Sequence, residues 1–137
     1  MKPVFPFSLE DTISVRIEVP RGSRVKRSAS GRVEFVSPIR CPYNYGSVEG
    51  ERLAPDGDAY DALVLGRRLP CGHLAEGRLL GVVDFLDRGT EDPKLVIGVS
   101  MSPADRASVS RFFRRYARIK RLLRFTRETQ FRGWMSL

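Results

Sequence analysis

The sequence predicts a mainly β domain, a barrel or sandwich, that carries one amphipathic helix near its C-terminal end. Three observations support this: a strictly alternating stretch near the N-terminus, several short apolar runs separated by turn residues, and one late segment with helical spacing. At 137 residues the chain is long enough for one hydrophobic core and leaves little room for a second, so residues 1–137 are expected to form a single domain. An apolar share of 42% and a charged share of 29% are those of a folded protein rather than a disordered one.

From Thr12 to Pro20 the side chains alternate, with Ile13, Val15, Ile17 and Val19 on one face and Ser14, Arg16 and Glu18 on the other. This is the pattern of a half-buried strand, and it puts Glu18 on the polar face, just before a turn at Pro20-Arg21-Gly22. Gly31 to Val36 reads as a second strand, and Arg40 to Gly46 reads as a turn region with an aromatic pair, Tyr43 and Tyr45. Asp61 to Gly66 is a short buried strand entered from an acidic loop. Arg78 to Leu86 and Leu95 to Ser100 are two more strands, joined by a polar connection. The helix comes last. Ser102 is its N-cap, Pro103 its first residue and Asp105 the acid of a capping box. Val109, Phe112, Phe113, Tyr116, Ile119 and Leu123 form its apolar stripe.

The formal net charge is +8, unevenly distributed. Acids gather in the middle, while Arg106, Arg111, Arg114, Arg115, Arg118, Arg121, Arg124 and Arg127 crowd the last third. A carboxylate-rich centre with a cationic tail is not the layout of a nucleic-acid clamp. The arginines are expected to form a solvated face or an oligomer contact. No apolar run approaches the roughly 20 residues needed to cross a bilayer, and Met1 to Leu9 lack the pattern of a signal peptide. Cys41 and Cys71 are the two cysteines, and a reduced, cytoplasmic protein is the simplest expectation. His73, with Cys71 its sole neighbouring ligand type, lacks a zinc set.

Chemistry is concentrated in two acidic segments. Asp56-Gly57-Asp58-Ala59-Tyr60-Asp61 places three carboxylates just ahead of a buried strand. An EF-hand is excluded, because Asp61 stands where glycine is required and Arg67 where the bidentate glutamate belongs. A solvated Asp-Gly turn or a site for a hard divalent cation remains. Asp87, Glu91 and Asp92 form the second group, followed at once by Lys94. If the two loops converge, paired magnesium ions could clamp a phosphoryl group and acidify a bound water, with Lys26 and Lys94 neutralising phosphate oxygens. A surface ion pair between Lys94 and Glu91 is the plainer alternative.

Taken in order, these stretches resemble the soluble inorganic pyrophosphatases, from Glu18 to about Tyr116. Glu18 to Lys26 resembles an E-x-P-x-G-S-x-x-K segment, and Pro42 to Gly46 a P-x-N-Y-G element. Asp56 to Asp61 resembles D-G-D-P-x-D with Ala59 in place of proline. Asp87 to Lys94 resembles D-E-x-x-x-D-x-K, and Phe112 to Tyr116 resembles F-F-x-x-Y. The resemblance implies an OB-like five-stranded barrel with a flanking helix. It also implies several magnesium ions, with manganese as a substitute, pyrophosphate as substrate, and a homo-oligomer that is a hexamer in bacterial relatives. It assigns metal ligation to Asp56, Asp61 and Asp92, with Asp87 binding metals that arrive with substrate, and the general base to Asp58. Lys26, Tyr45, Lys94 and Tyr116 would grip phosphate oxygens, with Glu18 in support. The chain departs from the pattern at several places. Ser28 replaces a glutamate, Cys41 a tyrosine, Arg88 an acid and Ala117 a lysine. A shortened loop leaves Arg40 as the nearest stand-in for a phosphate-binding arginine, and Arg114, Arg115 or Arg118 could supply missing charge. Three functions follow from this reading: a pyrophosphatase, a phosphoanhydride hydrolase with an altered substrate, or a non-catalytic polyanion-binding relative.

Overall fold

Alternation along the first strand decides where the protein has its inside. In the computed structural model, which describes residues 5–28, 30–37, 39–124 and 128–137 (Phe35 and Arg124 by backbone alone), Thr12–Val19 forms β1. Its Ile13, Val15, Ile17 and Val19 are all buried. The expectations about Met1 to Val4, the Arg124 side chain and Arg127 lie outside the described residues.

The further strands are β2 (Val25–Arg27), β3 (Val33–Val36), β4 (Asn44–Val48), β5 (Asp61–Val64), β6 (Leu74–Asp87), β7 (Thr90–Glu91), β8 (Lys94–Gly98) and β9 (Gln130–Trp134). The helix α1 spans Pro103–Arg124. β1 pairs with β4, β4 with β5, β5 with β8, β8 with β6, and β6 returns to β1, which closes a five-stranded barrel. The β5–β8 pairing is parallel and the others are antiparallel, so the barrel is mixed. Closure removes the exposed sheet edge that an open sheet of this size would carry. Of the barrel or sandwich that the strand pattern predicts it is the barrel, and it has the OB-like, mainly β architecture that the family resemblance implies.

Period-two alternation then divides β4, β5, β6 and β8 between two apolar clusters, while β1 gives its apolar face to the barrel interior alone. Val15, Ile17, Ala62, Val64, Val82, Leu95 and Ile97 fill the barrel interior. Leu63, Val83, Phe85 and Val96 point outward and meet Val109, Phe113 and Ala117 of α1. The helix therefore roofs one outer wall of the barrel. Its start is fixed as expected. The Ser102 backbone N–H donates to Asp105 Oδ2 at 3.0 Å and the Asp105 N–H donates back to Ser102 Oγ at 3.0 Å. Ser102→Ala is expected to cost about 1 kcal/mol, read from urea unfolding, because it leaves an N-terminal amide without its acceptor.

Several expectations require correction. Asn44 to Gly46 is not a turn but the first three residues of β4, because Asn44 is fully buried and hydrogen-bonds the neighbouring backbone. Its Oδ1 accepts from the Arg21 and Leu69 amides, and its Nδ2 donates to the Val64 and Arg67 carbonyls. The expected strand at Gly31 to Val36 is real only from Val33, and it pairs with the unforeseen β2 in a separate hairpin. The polar connection after Asp87 contains β7, folded back on β6. The helix is not the last element, since β9 follows it and pairs with β6. On α1 itself, Leu123 is 62% exposed and leaves the apolar stripe, while Ala117 enters it. Both cysteines are free thiols.

Candidate active site

Five barrel strands bring polar side chains to the same outer wall that α1 roofs. Glu18 lies between the inward-facing Ile17 and Val19 of β1, and therefore points out. Tyr45 of β4, Asp61 of β5 and Lys94 of β8 sit on neighbouring strands, with Asp61 opposite Lys94 in the parallel register. Asp87 ends β6, two residues beyond the outward-facing Phe85. Tyr45, Asp61, Asp87 and Lys94, with Lys26 and Asp92, line a cavity of about 390 Å³ between the barrel, the β2–β3 hairpin and α1; Glu18 itself is not part of its wall. Tyr116 and Lys120 close it from the helix.

Lys94 is the centre of the arrangement and is only 3% exposed. Its Nζ donates to Asp61 Oδ2 at 2.8 Å, to Asp92 Oδ2 at 2.7 Å and to Tyr45 Oη at 3.1 Å, and lies 5.5 Å from the Phe85 ring centroid. Burial opposes the ammonium, but the adjacent carboxylates outweigh it and hold its pKa well above the ordinary lysine value. The two acids respond differently. Burial pushes both upward; at Asp61 the Lys94 charge and a Tyr45 hydrogen bond win, and the carboxyl is held below its usual range. At Asp92 burial, aided by the Asp61 charge, exceeds the pull of Lys94, and the carboxyl is raised. One ammonium shared by two acids does not neutralise both. Burial also lifts the Tyr45 phenol well above its ordinary value, so it remains a proton donor.

Around this centre the contacts are looser. Glu18 accepts a hydrogen bond from Ser47 Oγ at 2.8 Å, and burial raises its carboxyl. Lys26 is held by ion pairs of 3.9 Å to Glu18 and to Glu34. Tyr116 is half-buried and stacks on Phe112 at 5.9 Å. Asp87 accepts from Lys120 Nζ at 2.8 Å and from Thr129 Oγ1 at 3.1 Å; these bonds outweigh burial and lower its pKa.

The two acidic loops converge in part. Asp61, Asp87 and Asp92 all line the cavity, whereas Asp56 and Asp58 lie on an exposed turn outside its wall. There the Asp56 Oδ1 accepts the Asp58 amide at 2.9 Å. The Asp56 charge still reaches Asp92, where it adds to the upward shift. Glu91 pairs with Arg132 rather than with Lys94. Arg40 donates to the Gly22 carbonyl and is not part of the cavity wall, while Arg24 is. Arg114, Arg115 and Arg118 are also absent from the wall; Arg114 lies over the Phe131 ring. Cys41 lines the cavity as a thiol that burial pushes up to about 11, which makes it unreactive at neutral pH. The sequence reading missed Ser47, Arg24 and Lys120. Lys120 had a usable signal, because it stands four residues after Tyr116 and so shares its helix face.

As chemistry, the donor set consists of oxygens only, which suits a hard divalent cation. Asp61 and Asp92 already share one cation, the Lys94 ammonium, so their carboxylates are close enough to share another. Among the described residues no three acidic, histidine or cysteine side chains form a ready-made metal cage. Magnesium does not require one, since it usually takes one or two carboxylates and retains its waters.

The sequence and the fold are similar to those of known proteins. Residues 15–110 match the model of the inorganic pyrophosphatase family. An inorganic pyrophosphatase of Saccharolobus solfataricus is 35% identical over 94 residues, covering 63% of this chain and 54% of that protein. The chain thus aligns with only about half the length of that relative. Solved structures match more completely. An inorganic pyrophosphatase from Coxiella burnetii superposes with a TM-score of 0.74 at 27% identity, covering 97% of this chain and 90% of that one. The enzyme from Thermus thermophilus gives 0.75 at 25% identity, covering 98% and 87%.

Proposed function

The chain belongs to the inorganic pyrophosphatase family, and on that premise we propose that it hydrolyses pyrophosphate to two phosphates with magnesium, at the cavity between barrel and helix. The observation that carries this reading is the convergence of Asp61 and Asp92, from separate stretches of the chain, on the Lys94 ammonium, beside Lys26, Lys120, Tyr45 and Tyr116. A binding module would need the cations alone. Carboxylates kept close together and partly uncompensated suit a site that recruits a divalent metal.

Asp61, Asp87 and Asp92 would hold the metal from inside the cavity, with Asp56 joining from the rim. When bound, the metal supplies Lewis-acid polarisation of the phosphoryl group and lowers the pKa of water. The chain's own residues bind, orient and manage protons. Lys94 remains charged and presents its ammonium to a phosphate oxygen; Tyr45 and Tyr116 offer phenol donors. Lys26, loosely held, can turn to a second phosphate oxygen. Glu18, itself oriented by Ser47, is a long-range partner for Lys26. The family resemblance gives the proton of the attacking water to Asp58, which would have to act from the exposed turn outside the cavity wall. The working form is proposed to be a homo-oligomer. No helix among the described residues is long and apolar enough to cross a membrane.

Asp58→Asn tests the assignment of the base. The side chain is exposed, so melting temperature is expected to stay within a degree or two of wild type, since surface changes of this kind cost about 0.5 kcal/mol or less. Phosphate release should fall by about 10²–10⁴-fold, the usual worth of a general base. Wild-type rates in this variant would remove Asp58 from the mechanism.

A further inference from the structure

We propose that Lys120 is a substrate-binding residue that contacts a phosphate oxygen of the diphosphate, an inference that rests on the function proposed above. The family resemblance places a lysine directly after the helical tyrosine, but here that position is Ala117, which is 1% exposed and packed into the apolar cluster with Val83, Phe85 and Phe113. Lys120 lies on the cavity side of the same helix. Its side chain is 16% exposed, its Nζ is 5.2 Å from the Tyr116 ring centroid, and it forms part of the cavity wall with Lys26 and Lys94.

Its one acidic partner within ion-pair distance, among the described residues, is Asp87, at 2.8 Å. That carboxylate is also one the proposed mechanism gives to the metal. Once a divalent cation occupies Asp87, the Lys120 ammonium is left largely buried without its counter-charge. A buried charge stripped of its partner is strongly destabilising, and the anion entering the same cavity can restore the balance. The exchange is ordered: metal takes the carboxylate, and phosphate takes the ammonium. Lys94, bonded to Asp61 and Asp92, is freed for phosphate only when both of those carboxylates turn to metal, whereas Lys120 needs only Asp87 to turn; Arg24 is exposed with its Nε held by the Ser37 carbonyl.

Calorimetric titration with imidodiphosphate, the bridging-nitrogen analogue of pyrophosphate, at saturating magnesium tests this on wild type, Lys120→Met, Lys120→Gln and Lys120→Arg. Magnesium is titrated separately without the analogue. Loss of one charge-assisted contact is expected to weaken imidodiphosphate binding about 10–100-fold in the Met and Gln variants, with the Arg variant recovering most of it. Magnesium binding alone should hold or tighten, because a competing cation is gone from Asp87. Unchanged imidodiphosphate affinity in a folded Met or Gln variant overturns the proposal and makes Lys120 only a partner of Asp87. A magnesium affinity that falls by the same factor as imidodiphosphate affinity overturns it equally. Wild type that binds no imidodiphosphate overturns both this inference and the function on which it rests.

Discussion

Asp92→Asn is expected to lower pyrophosphate turnover by about 10³-fold while leaving the metal-free protein as stable as wild type or slightly more so. The two halves of this prediction have one physical origin. Burial and the neighbouring Asp61 charge raise the Asp92 carboxyl despite its 2.7 Å bond to Lys94. A raised folded-state value means that the ionised form is better tolerated in the unfolded chain, so at neutral pH the Asp92 charge costs stability. Asparagine removes that cost while still accepting a hydrogen bond from Lys94. It also removes a carboxylate that would bind the metal, and with it electrostatic stabilisation of the phosphoryl group worth several kcal/mol. Asp61 is the opposite case. Its lowered value means that its charge contributes stability at neutral pH, lost only as the pH falls through its folded value, below the ordinary carboxylate range. Paired melting curves and phosphate-release rates check the prediction. A collapse in melting temperature for Asp92→Asn would make the residue a structural one.

Gly46→Ala is expected to be the most damaging single methyl that can be added near the site. A Cβ there would stand 1.9 Å from the Arg16 carbonyl oxygen, 2.7 Å from its carbon and 3.1 Å from Ile17 Cα, all backbone atoms of the paired strand. No rotamer change relieves such a clash, so β1 and β4 must part where Gly46 faces Ile17. Tyr45 and Ser47 flank the position, so Glu18, Tyr45 and Asp61 lose their common frame. A cost of about 4–5 kcal/mol is expected, a large share of a domain's total stability. The variant should melt at least about 15 °C below wild type and lose activity at physiological temperature. A melting temperature within a few degrees of wild type would show that the strands can separate locally without consequence.

How much was legible in the chain follows from whether each residue's environment is local. β1 could be read because Ile13, Val15, Ile17 and Val19 alternate without interruption, and α1 because Ser102 and Asp105 bracket its start. The apolar runs of β5, β6 and β8 were visible for the same reason. β4 was not, since Pro42-Tyr43-Asn44-Tyr45-Gly46 has the composition of a turn, and only the burial of Asn44 between distant loops makes it a strand. β9 becomes a strand by pairing with β6, a long-range event with no signature in Gln130–Trp134 itself. The order of acidic residues pointed to Asp61, Asp87 and Asp92, and all three line the cavity. That Lys94 would bind two of them, that Glu91 would turn to Arg132, and that Asp56 and Asp58 would stay outside the cavity wall depend on strand register and loop direction, which spacing does not encode. Lys120 shares the helix face of Tyr116 four residues earlier, a relation that the family pattern, with its lysine at the position of Ala117, does not mark.

The central claim is that this cavity hydrolyses pyrophosphate with a divalent metal. Its most direct test is phosphate release from pyrophosphate by the purified chain, with magnesium and with magnesium removed by a chelator, in protein shown by circular dichroism to be folded. Steady phosphate release that requires magnesium and that Asp92→Asn abolishes is the expected result. Folded protein that releases no phosphate with magnesium present, or releases it equally well in Asp92→Asn, would contradict it.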